Sequence, residues 1–233
     1  MKYEEVFKPG QKEEGSTYRF FRLLHAYDQI REKKPRNWLD LGCHNGSFLE
    51  SVHENYRSDC YGADDWVPEK KTGSDVHECR FRNGGCWKYK KTDLAQSLGF
   101  TGPFQVISAL EVLEHIIDTD LFLQRIHKAL EPGGYVLITT PNINNLRNRI
   151  RVPLGLYPIG IEFKNVIHHV RLYNVQNLKA HLKEHGFHVL KMIGVQMFPR
   201  RVTHLNGLRL LSEWMADLFP EFCPNIICIA QKV

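Results

Sequence analysis

The reading of Trp38-Leu39-Asp40-Leu41-Gly42-Cys43-His44-Asn45-Gly46 decides the fold. Its first four residues form a short apolar run of the kind that becomes a buried strand. Gly42 follows at once, Gly46 closes the turn, and Ser47 to Glu54 has the make-up of a helix. A strand, a glycine turn and a helix in that order let the backbone approach a ligand closely and leave a helix N-terminus free to bind it. A second short run, Cys60-Tyr61-Gly62-Ala63, ends in Asp64-Asp65. Asp64 stands about 20 residues past the turn, the offset at which an acidic side chain reaches ribose hydroxyls in nucleotide-binding folds.

Working outward, apolar runs predict five more strands at Trp87–Lys91, Phe104–Leu110, Tyr135–Thr139, His188–Val195 and Asn225–Ala230. Helical spacing predicts a first helix over 16–34, with Ser16 and Thr17 as caps and Pro35 as its stop. Further helices are expected from Glu111 onward, over Leu121–Leu130 (ended by Pro132-Gly133-Gly134), over Val175–His185 (capped by Gly186) and over Leu205–Leu218. Residues 66–86 read as polar and irregular, with a turn at Asn83-Gly84. Strands alternating with helices predict an α/β protein with a doubly wound, seven-stranded, mostly parallel sheet. Ligands of such sheets bind beyond the carboxyl ends of the strands, where the polar clusters fall.

The 233 residues suit one domain, 1–233, with an N-terminal helical segment over 1–35. Hydrophobic residues make up 42% and charged residues 24%, which fits an ordinary core and a soluble surface. No apolar run approaches the roughly 20 residues that span a bilayer, and residues 1–15 are charged, without the apolar stretch of a secretory signal. The six cysteines form no C-x-x-C pair and read as reduced thiols of a cytoplasmic protein. Cys79 and Cys86, with His77, fit no common zinc spacing. A net charge of +5 allows an anionic substrate without the clustered Lys/Arg footprint of a nucleic-acid binder.

The run Leu39-Asp40-Leu41-Gly42-Cys43-His44-Asn45-Gly46 resembles motif I of the class I S-adenosylmethionine-dependent methyltransferases. Tyr61-Gly62-Ala63-Asp64, Thr92-Asp93-Leu94, Glu111-Val112-Leu113-Glu114-His115 and Glu131-Pro132-Gly133-Gly134 follow in the family's order and spacing. Thr139-Thr140-Pro141-Asn142, His169-Val170-Arg171-Leu172-Tyr173 and Gly186-Phe187 extend the likeness, which covers residues 36 to 195. The resemblance implies a Rossmann-like sheet with an antiparallel last strand and S-adenosylmethionine as cofactor. It implies that Asp40 orients the glycine turn and the methionine amino group, and that Gly42, Cys43, His44 and Gly46 form the turn under the cofactor. Asp64 would bind the ribose, Asp93 and Leu94 frame the adenine, and Leu110 and Glu111 line the methionine end. His44 departs from the family, which usually has glycine there.

On a helix, Glu111, Glu114 and His115 at i, i+3 and i+4 would share one face. Two carboxylates and an imidazole have metal-ligand character for Mg²⁺ or a similar divalent ion. This run is similar to that of the ubiquinone-biosynthesis O-methyltransferases and of the enzymes that 2′-O-methylate small RNA 3′ ends. In both, a downstream histidine completes a metal site, and His169, of the His168-His169 pair, matches it best. His115 as a general base without metal is the other reading, its ordinary pKa lying near operating pH. The catalytic candidates are therefore His115, Glu114 and His169.

Residues 142–170 show little helix or strand pattern and are expected to form a substrate lid. Arg147, Arg149, Arg151 and Lys164 lie there among Leu146, Ile150, Val152, Leu154, Leu156, Tyr157 and Ile159. Basic plus apolar suits an anionic acceptor with a greasy part, or a surface at a membrane interface. Residues 140–149 also resemble methyltransferases of glycan gene clusters, which implies a small molecule, sugar or lipid-linked glycan as acceptor. The leading expectation is O-methylation of such a hydroxyl. The alternatives are an RNA 2′-O-methyltransferase, which lacks support in any stacking platform or appended RNA module, and a non-catalytic binding protein on the same fold. A dehydrogenase is disfavoured, since no G-x-G-x-x-G follows the first strand.

Overall fold

The computed structural model describes residues 15–65, 76–159, 169–198 and 206–233. In chain order the elements are α1 (Gly15–Asp28), β1 (Asn37–Leu41), α2 (Ser47–Tyr56), β2 (Asp59–Asp64), β3 (Val76–Arg80), β4 (Cys86–Lys91), β5 (Phe104–Leu110), α3 (Thr119–Ala129), β6 (Leu130–Pro141), α4 (Leu146–Arg151), α5 (Val175–Glu184), β7 (Phe187–Val195), α6 (Asn206–Leu218) and β8 (Asn225–Lys232). Short 3₁₀ turns occupy Leu113–His115, Val152–Leu154 and Pro220–Phe222.

One sheet of eight strands runs β3-β4-β2-β1-β5-β6-β8-β7. The five strands β4-β2-β1-β5-β6 are parallel, while β8 lies antiparallel between β6 and β7. The antiparallel last strand and the Rossmann-like winding agree with expectation. The count of seven is corrected to eight, because Val76–Arg80 pairs antiparallel with β4 inside the stretch read as irregular. It is an edge strand whose side chains are exposed or half-buried, so no apolar run marks it.

From β1 the sheet grows one way to β2 and the other way to β5, so the crevice at their carboxyl ends is the topological switch point. Side chains of β1 alternate across it. Leu39 and Leu41 join a cluster with α3 and α5, among them Phe122, Ile126, Leu178 and Leu182. Trp38 faces the other way into an aromatic cluster with Tyr27, Phe48 and Tyr56 from α1 and α2. Burying each such side chain contributes roughly 1.5–3 kcal/mol. With both faces covered, the ligand end of β1 is held rigidly.

Several boundaries shift for identifiable reasons. The first helix ends at Asp28, well before Pro35, in a turn where the Tyr27 carbonyl accepts from the Ile30 and Arg31 N–H groups. The helix expected at Leu121 begins at Thr119, because Asp118 caps it by accepting from the Leu121 N–H (2.9 Å). Pro132-Gly133-Gly134 lies within β6 rather than ahead of it. The stretch 142–170 contains α4, capped by Asn145; Lys164 and His168 lie outside the described residues.

Gly46 caps α2 with φ of +78°, and a Cβ there would sit 2.6 Å from the buried Trp87 ring. A Gly46→Ala variant therefore combines a left-handed backbone with a clash against a buried aromatic ring. It is expected to cost about 1–3 kcal/mol, read as a melting temperature lowered by roughly 3–10 °C.

Candidate active site

At the carboxyl ends of β1 and β5 lies a cleft of about 420 Å³, within the size range of small-ligand sites. Asp40, Gly42, Cys43 and His44 form its floor, Leu110, Glu111 and Thr139 one side, and Arg19, Phe20 and Phe48 the other. Asp40 is buried on the same face of β1 as Trp38, and both meet Ser108. The Ser108 hydroxyl donates to Asp40 Oδ1 (2.5 Å) and accepts from Trp38 Nε1 (2.8 Å). Burial pushes the Asp40 carboxyl up to about 7; the Ser108 hydrogen bond pulls the other way, and the nearby Asp64 carboxylate adds to the rise.

The turn after β1 is tied to the end of β2. The Gly42 N–H donates to the Ala63 carbonyl (2.8 Å) and the His44 N–H to Asp64 Oδ2 (2.6 Å). His44 takes a left-handed conformation, φ +45°, and lines the cleft. The non-glycine residue thus fits the turn at the cost of backbone strain.

Glu111 overturns the expectation of a shared helical face. Its φ is +57°, and the chain turns into a 3₁₀ segment only at Leu113–His115. The Glu111 N–H donates to the Thr139 carbonyl (2.9 Å), Oε1 accepts from the Thr139 hydroxyl (2.9 Å), and Oε2 meets Asn225 Nδ2 (3.0 Å) and the Arg19 guanidinium (3.1 Å). Glu111 is thereby part of the cleft wall and not of the metal-ligand group that the sequence spacing predicts for it.

That group is instead Glu114, His115 and His169, whose ligand atoms lie within 4.8 Å of one another. The His115 and His169 rings meet edge to face at 5.0 Å. The approach is fixed by the backbone, as the Glu114 carbonyl accepts from the Val170 and Arg171 N–H groups (2.9 and 3.1 Å). Glu114 is buried; Oε2 accepts from the Thr140 hydroxyl (3.3 Å), and Oε1 has no hydrogen-bond partner among the described residues. Burial and, secondarily, Glu111 push its carboxyl up to about 8. Glu114 and His169 open onto a second cavity of about 200 Å³, with Asn142, Arg171 and Asn225 on its wall.

Residues 15–192 match the family model described as "Methyltransferase domain". The chain belongs to this family. A ubiquinone biosynthesis O-methyltransferase from Brucella anthropi is 26% identical over 69% of this chain and 63% of its own length. The chain spans about half to two thirds of the length of the first such relatives it matches. Among solved structures, an S-adenosylmethionine-dependent methyltransferase from Archaeoglobus fulgidus superposes with a TM-score of 0.59 at 17% identity, over 99% of this chain and 98% of that one. Phosphoethanolamine N-methyltransferase 2 from Haemonchus contortus, in complex with S-adenosylhomocysteine, gives 0.56 at 18%, over 99% and 56%.

Within this methyltransferase domain, Asp40, Gly42, Cys43, His44, Leu110 and Glu111 line the cleft itself. Gly46 packs beneath it on Trp87, and Asp64 stands behind the turn. Asp93 and Leu94 lie off the cleft wall: Asp93 accepts from the Ala95 N–H and Gln96 Nε2, and Leu94 packs against the core. Arg19, Phe20 and Thr139 line the cleft and Asn225 the second cavity, although the sequence motifs assign them no site role. Arg19 and Asn225 come from elements remote in sequence, and no local pattern marks them. Thr139 stood within a recognised motif, and its place at the end of β6 beside β5 was the available signal.

Proposed function

We propose that this chain transfers a methyl group from S-adenosylmethionine to a hydroxyl of a small acceptor. The observation that carries the reading is the junction of two cavities. Glu111 lines the cleft over the glycine turn, Asn225 lines the cavity under Glu114 and His169, and their side chains are hydrogen-bonded to each other. Transfer from a sulfonium needs the nucleophile in line with the methyl, so a donor pocket and an acceptor pocket must adjoin.

In this reading the methionine ammonium meets Asp40, Leu110 and Glu111 flank the methionine end, and Asp64 serves the ribose. Glu114, His115 and His169 face the acceptor, and one of the imidazoles takes the hydroxyl proton. The same three residues fit a divalent ion, because buried Glu114, whose Oε1 has no hydrogen-bond partner among the described residues, stands beside two imidazoles. Such an ion would make an acceptor hydroxyl more acidic. Arg147 on α4 is exposed, and Leu146, Ile150, Val152, Leu154 and Tyr157 on and beside it are exposed as well. Two further cations of this segment serve the segment itself: Arg149 donates to the Asn144 carbonyl and lies over Phe222, and Arg151 donates to the Tyr157 carbonyl. Apolar surface with an exposed Arg147 among the described residues favours an acceptor with an apolar body and an anionic group over a nucleic acid.

Calorimetric titration with S-adenosylmethionine and S-adenosylhomocysteine tests the donor half. Micromolar binding is expected, and no binding of either ligand would remove the reading. The pH dependence is specific to Asp40. Below about 7 the carboxyl is protonated in the free protein, and a bound ammonium favours its ionised form, so binding must expel a proton. Affinity should rise about tenfold per pH unit up to about 7 and level off above. In Asp40→Asn the slope should vanish; flat affinity of the parent protein between pH 5 and 7 would overturn the expulsion of a proton from Asp40 on binding.

A further inference from the structure

A second group of metal-ligating atoms lies away from the cleft. Asp120, in the first turn of α3, approaches His181 and His185 in the last turn of α5 and at its C-cap, with all ligand atoms within 4.8 Å. Asp120 Oδ1 stands 2.8 Å from His181 Nε2 and 3.4 Å from His185 Nε2. Ligands held on a tetrahedral ion by bonds of about 2.0–2.1 Å lie roughly 3.3 Å apart. The two histidines are four residues apart on one helix, which places both rings on the same face.

Each ring is held from behind. His185 Nδ1 faces the His181 backbone carbonyl (2.9 Å), and His181 Nδ1 meets the Tyr173 hydroxyl (3.1 Å). A carbonyl only accepts, so His185 Nδ1 carries the proton. In the neutral ring, Nε2 then presents a lone pair toward a carboxylate oxygen. A cation bound between that lone pair and the carboxylate takes the place of the ring proton that would otherwise bridge them. A ring nitrogen donating to a backbone carbonyl while the other points at a shared carboxylate is the outer-shell arrangement of metal-bound histidine. The carbonyl end of α5 adds a negative partial charge that favours a cation; the Arg171 guanidinium, whose charge acts on Asp120, opposes it. The rings are largely covered while Asp120 is exposed, so the position is reachable from solvent.

We infer that Asp120, His181 and His185 bind a divalent transition ion of the zinc type at a site apart from the cleft. Imidazole nitrogen with one carboxylate suits zinc and its neighbours better than magnesium or calcium. An ion there ties the start of α3 to the end of α5. Tyr173, which backs His181, also accepts through its carbonyl from the Ile143 N–H, so the tie bears on the segment that presents His169.

The test is calorimetric titration of Zn²⁺ into the chelator-stripped protein, with melting temperature as a second readout. One ion per chain is expected at this site with micromolar affinity, raising the melting temperature by several degrees. Asp120→Asn, at an exposed position that leaves folding intact, and His185→Gln should each weaken that binding at least tenfold and cancel the rise. A His115→Ala/His169→Ala double variant, which removes two ligands of the cleft group, should retain it. Absence of Zn²⁺ binding in the parent protein would overturn the inference. So would unchanged binding in both Asp120→Asn and His185→Gln, or loss of binding confined to the cleft double variant.

Discussion

Asp64→Ala is expected to weaken S-adenosylmethionine binding about 100-fold, or about 2.7 kcal/mol. The carboxylate has two tasks in the proposed pose. It accepts from the His44 N–H at 2.6 Å, which holds a strained left-handed residue at the rim of the glycine turn. It also stands at the end of β2, from which the ribose hydroxyls are within reach. Hydrogen bonds to a charged group contribute about 1.5–3 kcal/mol each, so the loss of either accounts for most of the effect. Asp64→Asn separates the tasks. An amide oxygen still accepts from His44, so the turn survives, and the affinity should fall only about tenfold. Calorimetry on both variants decides the matter; an affinity within twofold of the parent in Asp64→Ala would refute the assigned pose.

The sheet was legible because its central strands are buried on both faces and so read as short apolar runs between turns. Leu39 and Leu41 against one cluster and Trp38 against the other show why that pattern is reliable. Val76–Arg80 has no such face. It is an exposed edge strand carrying His77, Glu78 and Arg80, and only the Asn83-Gly84 turn hinted at a hairpin. The cleft is legible for a similar reason: Asp40, Gly42 and Leu110, positions at strand ends that the family resemblance singles out, line one cavity together with His44.

Spacing failed where the backbone left its ordinary regions. Glu111-x-x-Glu114-His115 reads as a helical face, yet a positive φ at Glu111 turns its carboxylate toward Arg19, Thr139 and Asn225. A non-glycine residue gives no composition signal for that conformation. The pairing of His115 with His169 depends on two N–H groups of residues 170 and 171 reaching the Glu114 carbonyl, a contact set by tertiary packing. Asp120 with His181 and His185 was invisible for the same reason. The His-x-x-x-His half lies on a helix, but its carboxylate arrives from another element.

His115→Ala is expected to lower the turnover rate by 10²–10⁴-fold, the usual contribution of a positioned acid or base, while the S-adenosylmethionine affinity stays within about twofold. The separation follows from the geometry. His115 and His169 belong with Glu114, behind the Glu111–Asn225 hydrogen bond, and neither lines the cleft over the glycine turn. Loss of the imidazole therefore leaves the donor pocket as it was. The measurement is kcat on an accepted hydroxyl substrate, alongside calorimetry with S-adenosylmethionine. His169→Ala divides the two chemical readings of the cluster. If His115 acts alone as base, His169→Ala should retain near-parental rates while His115→Ala does not. If both hold a divalent ion, the two variants should lose rate together, and excess Mg²⁺ or Zn²⁺ should restore part of it. Near-parental rates in both would take the cluster out of the mechanism and leave the approach of methyl and hydroxyl as the whole of the catalysis.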